Sequence, residues 1–85
     1  MVDTLAEDWR DADGVHIDVR GLPPPEPMVV ILTLLERPDV ENERVIVHHE
    51  RHPIYLYPEL AERGWSYEIV PGEPGEVRLL LTRQQ

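Results

Sequence analysis

The stretch IDVRGLPPPEPM, residues 17–28, holds four of the nine prolines, and the apolar run Met28-Val29-Val30-Ile31-Leu32 follows it directly. Each proline pushes the residue before it out of the α region, so Pro23 and Pro24 hold the connection extended. Pro25 or Pro27 then falls in the first turn of a helix, where a missing N–H costs nothing. Glu26 lies in the same turn, and its negative charge suits the positive end of the helix dipole. Met28, Ile31, Leu32 and Leu35 follow at helical spacing and make an apolar stripe. Pro38 closes the helix. The prolines therefore form a stiff strand-to-helix elbow.

Upstream, VHIDV (15–19) alternates Val15, Ile17 and Val19 against His16 and Asp18, the pattern of a half-buried strand. Gly21 permits the turn that ends it. Downstream, ERVIVH (43–48) has apolar residues on both faces, which predicts an interior strand. HPIYLYPELAERG (52–64) reads as a second helix, with Leu56, Leu60 and Tyr57 inward and Gly64 as its C-terminal cap. WSYEIV (65–70) and EVRLLLT (76–82) alternate about the turn formers PGEPG (71–75) and predict an antiparallel hairpin with Trp65 and Tyr67 in the core. The element order is β-α-β-α-β-β. The expected architecture is an α+β two-layer sandwich, a mixed four-stranded sheet with both helices packed on one face. Residues 15–83 form the single domain. Residues 1–14 read as an acidic tail with Trp9 pinned to the body.

Composition narrows function mainly by exclusion. The chain has 85 residues, a formal net charge of −9 and no lysine; all eight basic residues are arginine. Such a surface repels phosphate backbones and anionic lipid, so neither nucleic acid nor membrane is an expected partner. No apolar run approaches the ~20 residues that span a bilayer. No charged start followed by an apolar stretch opens the sequence, so the expected compartment is the cytoplasm. Cysteine is absent, which removes disulfides, thiolate nucleophiles and thiolate metal sites. No glycine-rich phosphate loop and no Ser-His-Asp order is present, and the chain is not expected to be an enzyme.

The same stretch, with Asp18, Arg20, Gly21, Leu22, Pro25 and Pro27, resembles the signature of the TusA/SirA-like sulfur carriers. There a strand is followed by Asp-x-Arg-Gly-Leu and then by Cys-Pro-x-Pro at the start of the first helix. Here Pro24 stands where that cysteine would. The resemblance covers roughly residues 15–83 and implies the same fold. Without a thiol it implies the cysteine-free branch, a bacterial and archaeal domain of unknown function. HPIYLYPELAERGWSY (52–67) is similar to that branch as well. The resemblance further implies a carrier-like surface centred on the elbow, formed by Asp18, Arg20, Gly21, Pro24, Pro25, Glu26 and Pro27.

The functional expectation is a non-catalytic protein-binding or adaptor domain, monomeric or weakly dimeric, without a cofactor. Two alternatives stand beside it. HHERH (48–52) holds three of the four histidines, and His49, His52 and Glu50 converging across a turn would offer a divalent transition metal two imidazoles and a carboxylate. An accessory role in sulfur transfer or redox metabolism follows from the resemblance alone. For Asp18 and Arg20 the competing reading is purely structural: they hydrogen-bond the loop and hold the elbow in place.

Overall fold

A computed structural model describes residues 8–84 of the chain. The strands are β1 (Asp8–Asp11), β2 (Gly14–Asp18), β3 (Val45–His49), β4 (Trp65–Val70) and β5 (Val77–Arg83). The helices are α1 (Glu26–Leu35) and α2 (Leu56–Glu62), with a single 3-10 turn at Pro38–Val40. One mixed sheet runs in the order β1-β2-β3-β5-β4. β2 and β3 are parallel, and every other neighbouring pair is antiparallel. Among the described residues no helix is long and apolar enough to cross a membrane.

The α+β architecture with two helices is the one expected, but the sheet has five strands rather than four. The additional strand comes from Asp8–Asp11, inside the stretch read as a tail; residues 1–7 of that stretch lie outside the described residues. DWRD carries no alternating apolar pattern and two strand-disfavouring aspartates. Tertiary partners make it a strand. The amide of Asp13 donates to Oδ1 of Asp11 (2.8 Å) and closes a two-residue hairpin turn. Trp9 then pairs across from His16. On the alternate face Asp8 receives Arg37 and Arg10 reaches Asp39, tying β1 to the far end of α1.

Period-2 alternation sends Val15, Ile17, Val45, Val47, Leu79 and Leu81 to one face of the sheet, all essentially sealed from water. Ile31, Leu34 and Leu35 of α1 and Leu56 and Leu60 of α2 join them in a single core. Burying each such side chain stabilises the fold by about 1.5–3 kcal/mol. The α1 stripe is wider than Met28, Ile31, Leu32 and Leu35, since Leu34 is also buried. The helix begins as the prolines dictate: Pro25 is its N-cap, the Glu26 amide donates to the Pro23 carbonyl (2.9 Å), and Pro27 sits buried in the first turn.

α2 is shorter than residues 52–64, because Pro53–Tyr55 form a lead-in turn. Gly64 follows it in the left-handed region (φ 81°), as a C-terminal cap requires. α2 reaches the edge strand β4 through Tyr57, whose ring stacks on Tyr67 (3.8 Å between centroids). Tyr67 nevertheless lies half exposed at the sheet edge instead of in the core.

Gly14 fixes where β2 begins. Its φ is +138°, and a Cβ there would run into the Arg44 carbonyl, which accepts the Val15 amide (2.9 Å). Gly14→Ala is expected to cost about 1–3 kcal/mol, read as a lowered urea midpoint with an unchanged slope.

Candidate functional site

At the ends of β2 and β3 that lead into the helices, the elbow residues come together as a braced loop. Arg20 forms a two-pronged pair with Asp18, Nε to Oδ1 at 2.9 Å and Nη2 to Oδ2 at 2.8 Å. The Arg20 amide also donates to Asp18 Oδ1 (3.0 Å). The Arg20 guanidinium holds the Asp18 carboxyl below the usual carboxylate range. Gly21 sits at φ +87°, and its amide donates to Glu50 Oε1 (2.9 Å), which ties the β2–α1 loop to the β3–α2 loop. Pro24 and Pro25 lie exposed on this brace, Glu26 is half-buried, and Pro27 is buried.

The structure distributes the proposed metal ligands differently. His49 points to the helix side and is buried; its Nδ1 accepts from the amides of Glu50 (2.9 Å) and Arg51 (3.3 Å). Burial lowers its pKa, and its Nε2 has no hydrogen-bond partner among the described residues. Glu50 is spent on Gly21, and His52 is exposed. Among the described residues, the three groups whose ligating atoms lie within 4.8 Å of one another are Asp11, Asp13 and His16. There Asp11 Oδ1 accepts from the Asp13 amide and from His16, so hydrogen bonding within the hairpin accounts for the cluster.

A linked polar arrangement lies on the sheet face that no helix among the described residues covers. β2 and β3 pair with His16 opposite Ile46, so His48 is the diagonal neighbour of His16 on the same face. His16 Nδ1 and His48 Nε2 stand 2.9 Å apart. His16 Nε2 meets Asp11 Oδ1 at 2.9 Å, and His48 Nδ1 meets Glu76 Oε2. Arg78 grips Glu76 through Nε (3.1 Å) and Nη2 (2.9 Å), and the Glu73 amide adds a third donor (2.8 Å). The result is a continuous chain, Asp11–His16–His48–Glu76–Arg78, across four strands or strand ends. The two imidazoles lie near one plane (16°), and the Trp9 indole sits nearly parallel to both, with centroids 5.1 and 5.6 Å away. His16 and His48 are each only 8% exposed although no helix among the described residues lies over them.

Proton counting decides what this chain holds. Arg78 above all, with the Glu73 amide and His48, draws the Glu76 pKa from the usual 4.5 to about 2. The Asp13 amide, aided by His16, lowers that of Asp11. Both carboxylates are thus ionised and can only accept. His16 Nε2 and His48 Nδ1 must then donate outward. With those two protons alone, the inner nitrogens would face each other lone pair to lone pair. A third proton converts that contact into an N–H···N bond. The Trp9 ring lies over this contact, and the outer nitrogen of each imidazole meets a carboxylate. The arrangement is a continuous row of hydrogen-bonding groups with a carboxylate at each end of the imidazole pair.

None of this was visible in the HHERH cluster, because His16 and His48 are 32 residues apart and meet only through strand register. The available signal was the set of polar residues on the outward face of two adjacent strands. Two tests follow. A long-range proton–nitrogen correlation spectrum at neutral pH should show His16 Nε2 and His48 Nδ1 both protonated; the opposite tautomer on either ring contradicts the chain. Glu76 also sets an acid limit. Its folded pKa is depressed, so its stabilisation is complete above about pH 4.5 and is lost as pH falls through about 2. Glu76→Gln should lower stability at neutral pH and flatten the pH dependence between those limits, measured by urea unfolding.

Comparison with known proteins gives one family, described as Uncharacterized conserved protein (DUF2249), which matches residues 16–83. No curated protein and no solved structure matches. The matched span contains the elbow, both helices, the two histidines of the open face and the C-terminal hairpin. The chain belongs to the DUF2249 family.

Proposed function

We propose that this chain is a non-catalytic protein-binding domain that presents its elbow end to an apolar pocket on a partner protein. The observation that carries the reading is Ile54, 71% exposed in the lead-in to α2. A β-branched side chain held in water gains nothing for the fold and is available to a partner. Its surroundings fit the same use. The Glu50–Gly21 hydrogen bond links its loop to the elbow, where Pro23, Pro24 and Pro25 are exposed; Tyr55 and Val29 are exposed as well. The bracing matters energetically, because a surface that is already rigid loses little entropy on binding.

The kinship with TusA/SirA-like sulfur carriers belongs to this reading too. Asp18, Arg20, Gly21 and Leu22 reproduce the carriers' pre-helix sequence, and the Asp18–Arg20 pair with Glu50 holds that loop. With Pro24 at the cysteine position and no cysteine in the chain, such an elbow offers a surface for docking and no persulfide.

A photo-reactive side chain placed at Pro24 in cells of the organism that encodes the protein should yield an adduct of one defined mass. Ile54→Glu, which should alter stability by no more than ~0.5 kcal/mol, is expected to weaken the complex at least about tenfold. Ile69→Glu, a change at another exposed apolar residue, should leave it intact. An adduct insensitive to Ile54→Glu, or equally sensitive to Ile69→Glu, would overturn the reading.

A further inference from the structure

The open sheet face carries a second feature besides the histidine chain. A cleft of about 190 Å3 lies beside it, floored by Ile46, Leu80, Val70 and Pro71 and flanked by Arg44 and Arg78. His16 forms part of its wall, and its one acid is Asp13. We propose that this cleft is a binding site for a small organic monocarboxylate with an apolar body, held by Arg44.

Arg44 is the decisive residue. Among the described residues, seven of the eight arginines have a carboxylate within ion-pair distance. Arg44 has none among the described residues. Unpaired guanidinium groups are poorly accounted for by solubility in a protein of net charge −9, and a planar fork of donors matches a carboxylate well. The main chain that carries Arg44 is fixed. The Arg44 carbonyl accepts the Val15 amide, and Gly14 lacks a side chain where one would strike that carbonyl.

The ligand class follows from the wall. Arg78 is already neutralised by Glu76 in two hydrogen bonds, so Arg44 supplies the cleft's one guanidinium without a carboxylate partner among the described residues, enough for a single carboxylate. Asp13 disfavours a second negative charge. Four apolar floor residues give nothing to inorganic phosphate or sulfate but bury a hydrocarbon or ring. The volume equals that of about six liquid waters, which admits one small ring or a short branched chain.

Benzoate is a suitable probe, with benzamide as its neutral counterpart and inorganic phosphate as an anion without an apolar body. Each is titrated into the full-length protein and followed by amide chemical shifts. Benzoate is expected to shift Ile46, Val70 and Leu80 in the millimolar range, with benzamide and phosphate at least about tenfold weaker. Arg44→Gln, a change at an exposed side chain, should weaken benzoate at least about tenfold and leave benzamide unchanged. Ile54→Glu should leave benzoate binding unchanged, which separates this cleft from the elbow end. The proposal fails if benzoate produces no shifts up to about 20 mM, if its shifts lie away from the cleft, or if Arg44→Gln binds it as wild type does. Phosphate binding as tightly at the same amides would overturn the ligand class.

Discussion

β2 and β3 lie side by side in parallel, with Val15 opposite Val45, His16 opposite Ile46 and Ile17 opposite Val47. This pairing is the constraint on which the rest of the molecule depends. Parallel neighbours cannot be joined by a tight turn, so the chain must leave the sheet, cross it and return. The elbow and α1 are that crossing. The same pairing aligns the inward valines and isoleucines into one apolar surface for both helices. It also places His48 diagonally beside His16 on the outward surface. A slip of one residue would turn every one of these side chains to the wrong face.

The two ends and two faces of the sheet have been put to different uses. The helix-covered face is apolar at its centre, with Asp8, Arg10 and Arg83 at its margins and with His49, whose Nδ1 is occupied by two backbone amides. The open face is a mixed surface in which charge is not scattered but linked in series, from Asp11 through two imidazoles to Glu76 and Arg78. Partial burial without a covering helix among the described residues is achieved by the side chains themselves: Trp9 lies over the imidazole pair, and Glu76 is held 1% exposed by its donors. Carboxylates fixed in this way are low-pKa acceptors, and they dictate the tautomers of the rings between them. The cleft with Arg44 and the elbow end with Ile54 are built from different residues.

Asp18 and Arg20 serve the architecture of the elbow loop. Their pairing, together with the Glu50–Gly21 hydrogen bond, satisfies loop backbone that would otherwise lack partners. The structural role foreseen for them is therefore sufficient to explain their presence. What the elbow displays is set by the residue that follows them, and Pro24 displays no reactive group.

The sequence by itself determined the α+β class, the two crossover helices, the interior character of Val45–His49 and the C-terminal hairpin. Local rules govern these features: period-2 and helical apolar spacing, proline at a helix start, glycine at a helix end. It also excluded thiol chemistry outright. Only the tertiary structure decided the fifth strand, because Asp8–Asp11 has no strand pattern of its own and is held by Trp9, Arg10 and Asp8 contacts made after folding. It likewise decided the fate of the histidines. Proximity in sequence favoured His49 with His52, whereas a strand sends His48 and His49 to opposite faces and register joins His48 to His16. Tyr67 lies half exposed for the same kind of reason, since its place on the edge strand, stacked on Tyr57 of α2, depends on strand order rather than on the alternation of WSYEIV. Periodicity reports which face a residue occupies; what covers that face, and who stands beside it, is settled by packing between distant segments.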